Sequence, residues 1–537
     1  MSRRRYRPVP ARVPRPHLCY AVLNLLGVPY RPGVPPCHPR PVSLSRSAAR
    51  GAVTTLTGQA LRVLVQLASV TVLARLLSPE DYGLFVMVLA VVSVASVLGD
   101  FGLSMVAIQN QQLTPGQRNN LFWSNTVLGF LLSVLVVAVA HPLAAFYGRD
   151  EVVGITCAIA PLFLINSITA QFRAETAARL RFRALAGADV LAQLAGFGVA
   201  AVLAVNGNGY WALVAQALTT AVVTLPVLVA AARWWPGLPR RGEGMASLYA
   251  FGANTLGVQL LVYVTSNVDN LLIGKVAGSA TLGVYSRAYQ LFRLPLQQVA
   301  APLTRVAMPV LSRIHEDDAR FTAYVLRAQL LLSYSFGGLF LVLAAVSDPL
   351  VDIVLGDQWG EAKPLFVILA VGGAFQAIGY VYSWVFLARA KTGLQLRVTV
   401  YGRALMVVAM VVGTEWGATG VAVAASFGQA LVWAINTWVA MPRAGLDSRP
   451  LVRIAVRPLT IFGSMAAATL AVSSQLTDVN PWLHGFVLAA VMTGFLGATA
   501  LFVGSLRRDA LTLLDTVKRV RAVPAPPPLP EPAGAPT

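Results

Sequence analysis

Apolar runs of about twenty residues, divided by short polar joints, recur along this chain from residue 52 to residue 504. At about 1.5 Å of rise per residue, each run is long enough as a helix to cross roughly 30 Å of hydrocarbon. The pattern predicts fourteen membrane-crossing helices, at 52–74, 83–108, 120–140, 152–172, 185–205, 210–232, 246–268, 281–311, 323–346, 364–388, 395–413, 418–440, 454–473 and 482–504. The fold class this implies is an all-α polytopic membrane protein. The joints are too short to fold as domains outside the membrane.

Four of the runs carry polar residues at helical spacing. Gln59, Arg62, Gln66 and Ser69 fall at steps of three and four, on one face of the first span. Ser93, Ser96, Asp100 and Ser104 share a face of the second. Gln259, Tyr263, Ser266 or Asn267, and Asn270 do so in the seventh, with Asp269 beside them. The eighth carries Arg287, Gln290, Gln297 and Thr304, with Arg305 adjacent.

Hydroxyl and amide side chains bonded across packed helices explain the serines, at about 0.6 kcal/mol each. Arginines need more. One at the bilayer centre costs roughly 2.5–3.5 kcal/mol even on insertion scales. Arg305 and Arg287 lie near enough to the ends of their span to reach an interface along their own stems. Arg62 and Arg293 lie near the middle of theirs, which points to a water-filled cationic cavity or an ion pair. Asp100 and Asp269 are the candidate counter-ions or coupling groups. On the wheel Arg287, Gln290 and Gln297 share a face and Arg293 lies off it, so Arg287 is expected at an outer rim and Arg293 at a central site. Pro295, Pro302 and Pro309 divide the span, as suits a helix that bends during alternating access.

Composition agrees with the pattern. Of 537 residues 56% are hydrophobic and 12% charged, with a mean hydropathy of +0.66, against about 25% charged in a soluble domain. The formal charge is +20. Its distribution is that of the positive-inside rule, not of a nucleic-acid-binding surface. Arginine and lysine gather after the even-numbered spans, at Arg173–Arg183, Arg233–Arg241, Arg313–Arg320, Arg389–Arg397 and Arg443–Arg457. The odd joints are poor in them. This places both termini in the cytoplasm of a cell membrane, consistent with an even number of spans. Segment 347–363, with four acids against Lys363, is expected to be a solvated external loop with Trp359 as its interfacial anchor.

Residues 1–50 hold ten arginines, ten prolines and no acid, a composition that predicts a disordered basic tail. The expected organisation continues with a first six-helix unit at 51–232, a linker at 233–245, a second unit at 246–440, two further helices within 454–504, and a tail at 505–537 that ends rich in Pro and Ala. The three cysteines and five histidines are scattered, so neither a disulfide framework nor a metal site is indicated. The chain contains no GxxxxGK[ST], HExxH or GxSxG. No cofactor is expected, and no enzymatic site.

Several stretches carry a resemblance: TVLARLLSPEDYGLF (71–85), GDFGLSMVAIQ (99–109), QFRAETAARLRFRA (171–184), DNLLIGKVAGSATLGVYSRAYQL (269–291), LTRVAMPVLSRI (303–314) and VLGDQWGEAKPL (354–365). In order and spacing they resemble Wzx-type polysaccharide flippases of the colanic acid exporter-like branch, within the MOP flippase superfamily, over about residues 45–505. The resemblance implies two six-helix lobes related by a pseudo-two-fold axis, plus two C-terminal helices. It implies as substrate a polyprenyl-pyrophosphate-linked oligosaccharide, moved from the inner to the outer leaflet. Membrane lipids are then partners, as are polysaccharide polymerase and co-polymerase proteins; nucleic acid is not. Arg62, Arg287, Arg293, Gln290 and Gln297 would hold the pyrophosphate and acidic sugars. In lipid II flippases of this superfamily an arginine stands five residues before the proline of the eighth helix; here that position is Gln290. Lipid II flipping and multidrug export are the alternatives within the superfamily, and a membrane polymerase or ligase the alternative outside it.

Overall fold

The computed structural model describes residues 43–100, 114–179, 181–242, 267–476 and 479–502, with 245, 263 and 509; within these, the side chains of 43–57, 95–100, 297–302, 305, 306 and 502 are not described. Every described element is helical. The first half comprises α1 (Ser43–Leu76), α2 (Pro79–Asp100), α3 (Pro115–Tyr147), α4 (Glu151–Ile159), α5 (Pro161–Ala178), α6 (Phe182–Val205) and α7 (Trp211–Ala232). The second half comprises α8 (Val268–Val276), α9 (Gly278–Ile314), α10 (Asp318–Leu332), α11 (Gly338–Ala345), α12 (Ser347–Val354), α13 (Ala362–Ala388), α14 (Thr392–Gly413) and α15 (Gly417–Ile435). α16 (Ser448–Ser473) and α17 (Pro481–Phe502) follow.

Among the described residues, ten helical stretches are long and apolar enough to cross a membrane. One of them, 392–443, holds two helices, α14 and α15, divided by a tight turn in which Gly417 takes φ +65°. The chain is thus a multi-pass membrane protein. The fourth predicted span is α4 and α5 run together. The ninth is α10 and α11 joined through a π-helical turn at Ser333–Gly337. The seventh predicted span, 246–268, lies almost wholly outside the described residues.

Local chemistry sets the helix ends. Thr114 and Gln117 form a reciprocal capping box that starts α3, and Gly148, at φ +69°, ends it. Asp81, in the first turn of α2, accepts from the Ser78 amide and hydroxyl and from the Tyr210 amide at 2.8 Å. One carboxylate so anchors two of the turns at the acidic-joint end of the bundle.

The fourth span does not end at residue 172: α5 continues to Ala178, which puts Arg173 inside a helix. Segment 347–363 is not a solvated loop, and Trp359 is no interfacial anchor. Residues 347–354 form α12, and Trp359 is fully buried. Its indole donates to the Ala74 carbonyl at 2.8 Å, and its ring meets Tyr82 edge-on at 5.5 Å. The alternating polarity of this stretch belongs to a short helix that packs one face inward, not to a hydrated turn.

One core runs through both halves, from Val70 through Tyr285 and Trp359 to Ala466. Its tightest seam is between α2 and α9. A Cβ on Gly83 would stand 1.7 Å from the Ser279 carbonyl oxygen, and one on Gly283 would stand 1.8 Å from that of Pro79. Only glycine permits backbones to approach so closely. The last two helices are tied to α12 through Ser473, whose hydroxyl bonds Asp348 at 2.5 Å and His484 Nε2 at 3.0 Å.

Candidate functional site

Among the described residues, a polar cavity opens between the apolar helices in each half. The first, about 780 Å³, is walled by α1, α5, α6 and α7, with Phe85 of α2 at its edge. Arg62 and Gln66 enter from α1, Asn166 and Arg173 from α5, Asp189 and Gln193 from α6, and Gln216 and Thr220 from α7. The second, about 230 Å³, is walled by α8, α9, α13, α14 and α15. It receives Asp269, Tyr289, Arg293, Gln376, Tyr380, Arg403, Ser426 and Gln429. Counted in predicted spans, the walls of the first belong to 1, 2, 4, 5 and 6; those of the second are α8, which follows the seventh, and helices of 8, 10, 11 and 12.

The charges are arranged differently. In the first cavity Arg173 donates to Asp189 at 2.7 Å, and Arg62 lies 3.5 Å from the other oxygen of that carboxylate. Two cations share one acid, leaving a formal charge of +1. Gln216 donates to Ser69 at 2.8 Å on the wall beside them. In the second cavity Asp269, itself buried, has its oxygens taken by the Tyr285 hydroxyl at 2.8 Å and the Asn270 amide at 2.9 Å. Arg293 is exposed, with its guanidinium 5.8 Å from the Tyr289 ring centre. With Arg403 across the cavity, the formal charge is again +1.

The proposed site residues therefore separate. Arg62 and Arg293 line cavities, and they lie in different ones. Asp269 lines the second. Arg287 and Gln290 line neither: the Gln290 Oε1 is buried without a hydrogen-bond partner, and Arg287 is folded against Tyr82 of α2, with its guanidinium carbon 4.0 Å from the ring centre. The side chains of Gln297 and Asp100 lie outside the described residues. The acid beside Arg62 is Asp189, neither of the two expected. Sequence reasoning passed over Asp189 and Arg403 and counted Arg173 among the joint cations. The signal for the two it passed over was present: an acid inside the fifth apolar run and an arginine inside the eleventh.

The cross-half contacts cluster at the end of the bundle that carries the acidic joints. Arg75 donates to the Ile353 carbonyl at 2.6 Å, and Gln358 and Trp359 both donate to Ala74. Arg149 pairs with Glu80 and donates to Ser279 at 2.9 Å, and Lys275 reaches the Phe146 carbonyl. The halves are sealed together at that end.

A bundle of membrane helices with a charged cavity in each half defines the class, a polytopic membrane protein. The chain belongs to the family of polysaccharide biosynthesis proteins, whose family model matches residues 72–364. Among curated relatives it is 28% identical to the teichuronic acid biosynthesis protein TuaB of Bacillus subtilis, over 56% of this chain and 62% of that one. It is 24% identical to the lipopolysaccharide biosynthesis protein WzxC of Escherichia coli, over 74% of this chain and 80% of that one. The chain so spans somewhat under two thirds of TuaB and more of WzxC. In fold it resembles the lipid II flippase MurJ in an inward closed conformation, with a TM-score of 0.64 at 12% identity over 85% of this chain and 99% of that one. It also resembles an inward-facing multidrug resistance MATE transporter of the MOP superfamily, with a TM-score of 0.53 at 16% identity over 73% and 98%. These two likenesses concern the fold.

Proposed function

We propose that this protein is a flippase that carries a polyprenyl-pyrophosphate-linked oligosaccharide, a precursor of a surface polysaccharide, from the cytoplasmic to the outer leaflet. The observation that carries the reading is the pair of arginine-bearing cavities in an otherwise apolar bundle. Together they hold four arginines against two acids, a surplus of +2. A pyrophosphate diester brings two negative charges, and the planar guanidinium fork matches phosphate oxygens. The glutamines and tyrosines around the arginines offer the donors, acceptors and ring faces that sugars use. The membership in a polysaccharide biosynthesis family supports the substrate class.

The joints rich in arginine face the cytoplasm under the positive-inside rule. The seal at the acidic-joint end is then an outer gate, closed in this conformation, and the substrate enters from the inner leaflet. The 51–232 and 246–440 units act as two lobes that rock about the seam, while the lipid tail stays in the bilayer. No reacting group is called for, since the work is translocation. A cationic drug exporter would need cavities dominated by carboxylates, and here cations exceed them. Deleting the gene and assigning lipid-linked oligosaccharide to leaflets tests the reading: accumulation on the cytoplasmic leaflet is expected, and unchanged distribution would overturn it.

A further inference from the structure

Arg287 has no role in either cavity, yet its setting is unusual. Its Nε is buried without a hydrogen-bond partner, and no carboxylate among the described residues pairs with it. Its contact is the ring of Tyr82, which belongs to the other half of the molecule. Tyr82 is 2% exposed and is held in turn by Trp359, whose indole is bonded to Ala74. A guanidinium that leaves water normally gains a carboxylate or several carbonyls. Here it gains one aromatic face, which lowers the cost of burial without neutralising the charge. Because the face is supplied across the seam, any separation of α2 from α9 at the acidic-joint end withdraws it.

We propose that Arg287 is a state-dependent anion site, covered by Tyr82 while the halves are sealed and uncovered, when they part, to receive a phosphate-class anion. The site has two settings. Sealed, Arg287 is half-buried with one face taken by Tyr82, and Arg62 and Arg293, which line the cavities, meet the anion first. Parted, Arg287 stands six residues, about 9 Å, from Arg293 along α9, nearer the acidic joints. It then offers the anion a second position on the way out. The direction of travel rests on the flippase reading; the covered anion site does not.

Modification of arginine by phenylglyoxal, read peptide by peptide by mass spectrometry on the full chain in nanodiscs, tests this. Arg240, exposed in the linker, serves as the internal reference. Two variants open the seam: Tyr82→Leu removes the cover, and Arg75→Ala with Arg149→Ala weakens the seal without touching Tyr82 or Arg287. Arg287 should react far more slowly than Arg240 in the unaltered protein. Either variant should raise its rate about tenfold, as a shift of ~1.4 kcal/mol between sealed and parted states would give. Inorganic pyrophosphate should then slow it again while leaving Arg240 unchanged. Equal reactivity in the unaltered protein and both variants would overturn the cover, and unprotected labelling in the opened variants would overturn the anion site. If lipid-linked oligosaccharide is not flipped but pyrophosphate still protects Arg287, the flippase reading fails and this one stands.

Discussion

Arg173 and Asp189 meet at 2.7 Å across the wall between α5 and α6, and the same carboxylate faces Arg62. This pair sets the charge of the larger cavity. Asp189 is partly accessible and the arginines more so, so each pair contributes about 0–1 kcal/mol to stability. Asp189→Asn should therefore leave the fold intact, with a small change in melting temperature. It raises the formal charge of the cavity from +1 to +2. Binding of inorganic pyrophosphate should tighten several-fold and fall more steeply with salt. Titration calorimetry at two ionic strengths reads both effects.

Gly83 and Gly283 allow the two halves to meet backbone to backbone. Alanine at either position places a methyl carbon under 2 Å from a carbonyl oxygen, a clash with rigid backbone that exceeds the roughly 1–3 kcal/mol typical of overpacking. The sealed state should be lost selectively. Hydrogen exchange should rise in 74–84 and 276–286 and remain unchanged around Asp189. Uniform loss of protection would instead mark general unfolding.

Trp359 closes the same seam from α13's side of the molecule. Trp359→Phe removes one hydrogen bond, but Gln358 still donates to Ala74 at 2.6 Å. The cost should be about 0.5–1.5 kcal/mol. Trp359→Ala also empties a fully buried indole site and should cost about 3–5 kcal/mol. Thermal unfolding in detergent should order the three proteins accordingly.

Outward movement of a pyrophosphate carries two negative charges. With the inside negative, the potential assists by about 2.3 kcal/mol per charge per 100 mV. Flipping in proteoliposomes should accelerate when a potassium diffusion potential of that sign is imposed. It should slow when the sign is reversed. Indifference to both would mean that the charge crosses with compensating ions.

The spans were legible in the sequence because hydrocarbon thickness fixes helix length and backbone bonding excludes other structures. Thirteen of the fourteen predicted runs coincide with described helices, and the remaining one lies largely outside them. The separation of Arg287 from Arg293 was legible too, since a step of six residues turns them to different faces of α9. The partner of Arg62 was not: Asp189 lies 127 positions away, and pairing over that distance is decided by packing between α1 and α6. Trp359 misled because acids flank it, although the acids face away while the indole points into the core. Tyr82 over Arg287 joins two halves whose relative placement no periodicity records.

On the proposed function, the cavity arginines carry an anionic lipid-linked oligosaccharide across the bilayer. Flipping of a fluorescent polyprenyl-pyrophosphate oligosaccharide, by the purified protein in proteoliposomes, tests it most directly. Arg62→Ala and Arg293→Ala should each lower the rate at least about tenfold, the loss expected for one charge-assisted phosphate contact of ~1.5–3 kcal/mol. The exposed linker variant Arg240→Ala should match the unaltered protein. If both cavity variants flip the lipid at the unaltered rate, with equal protein inserted, the two cavities are not the route of the anion and the account is wrong.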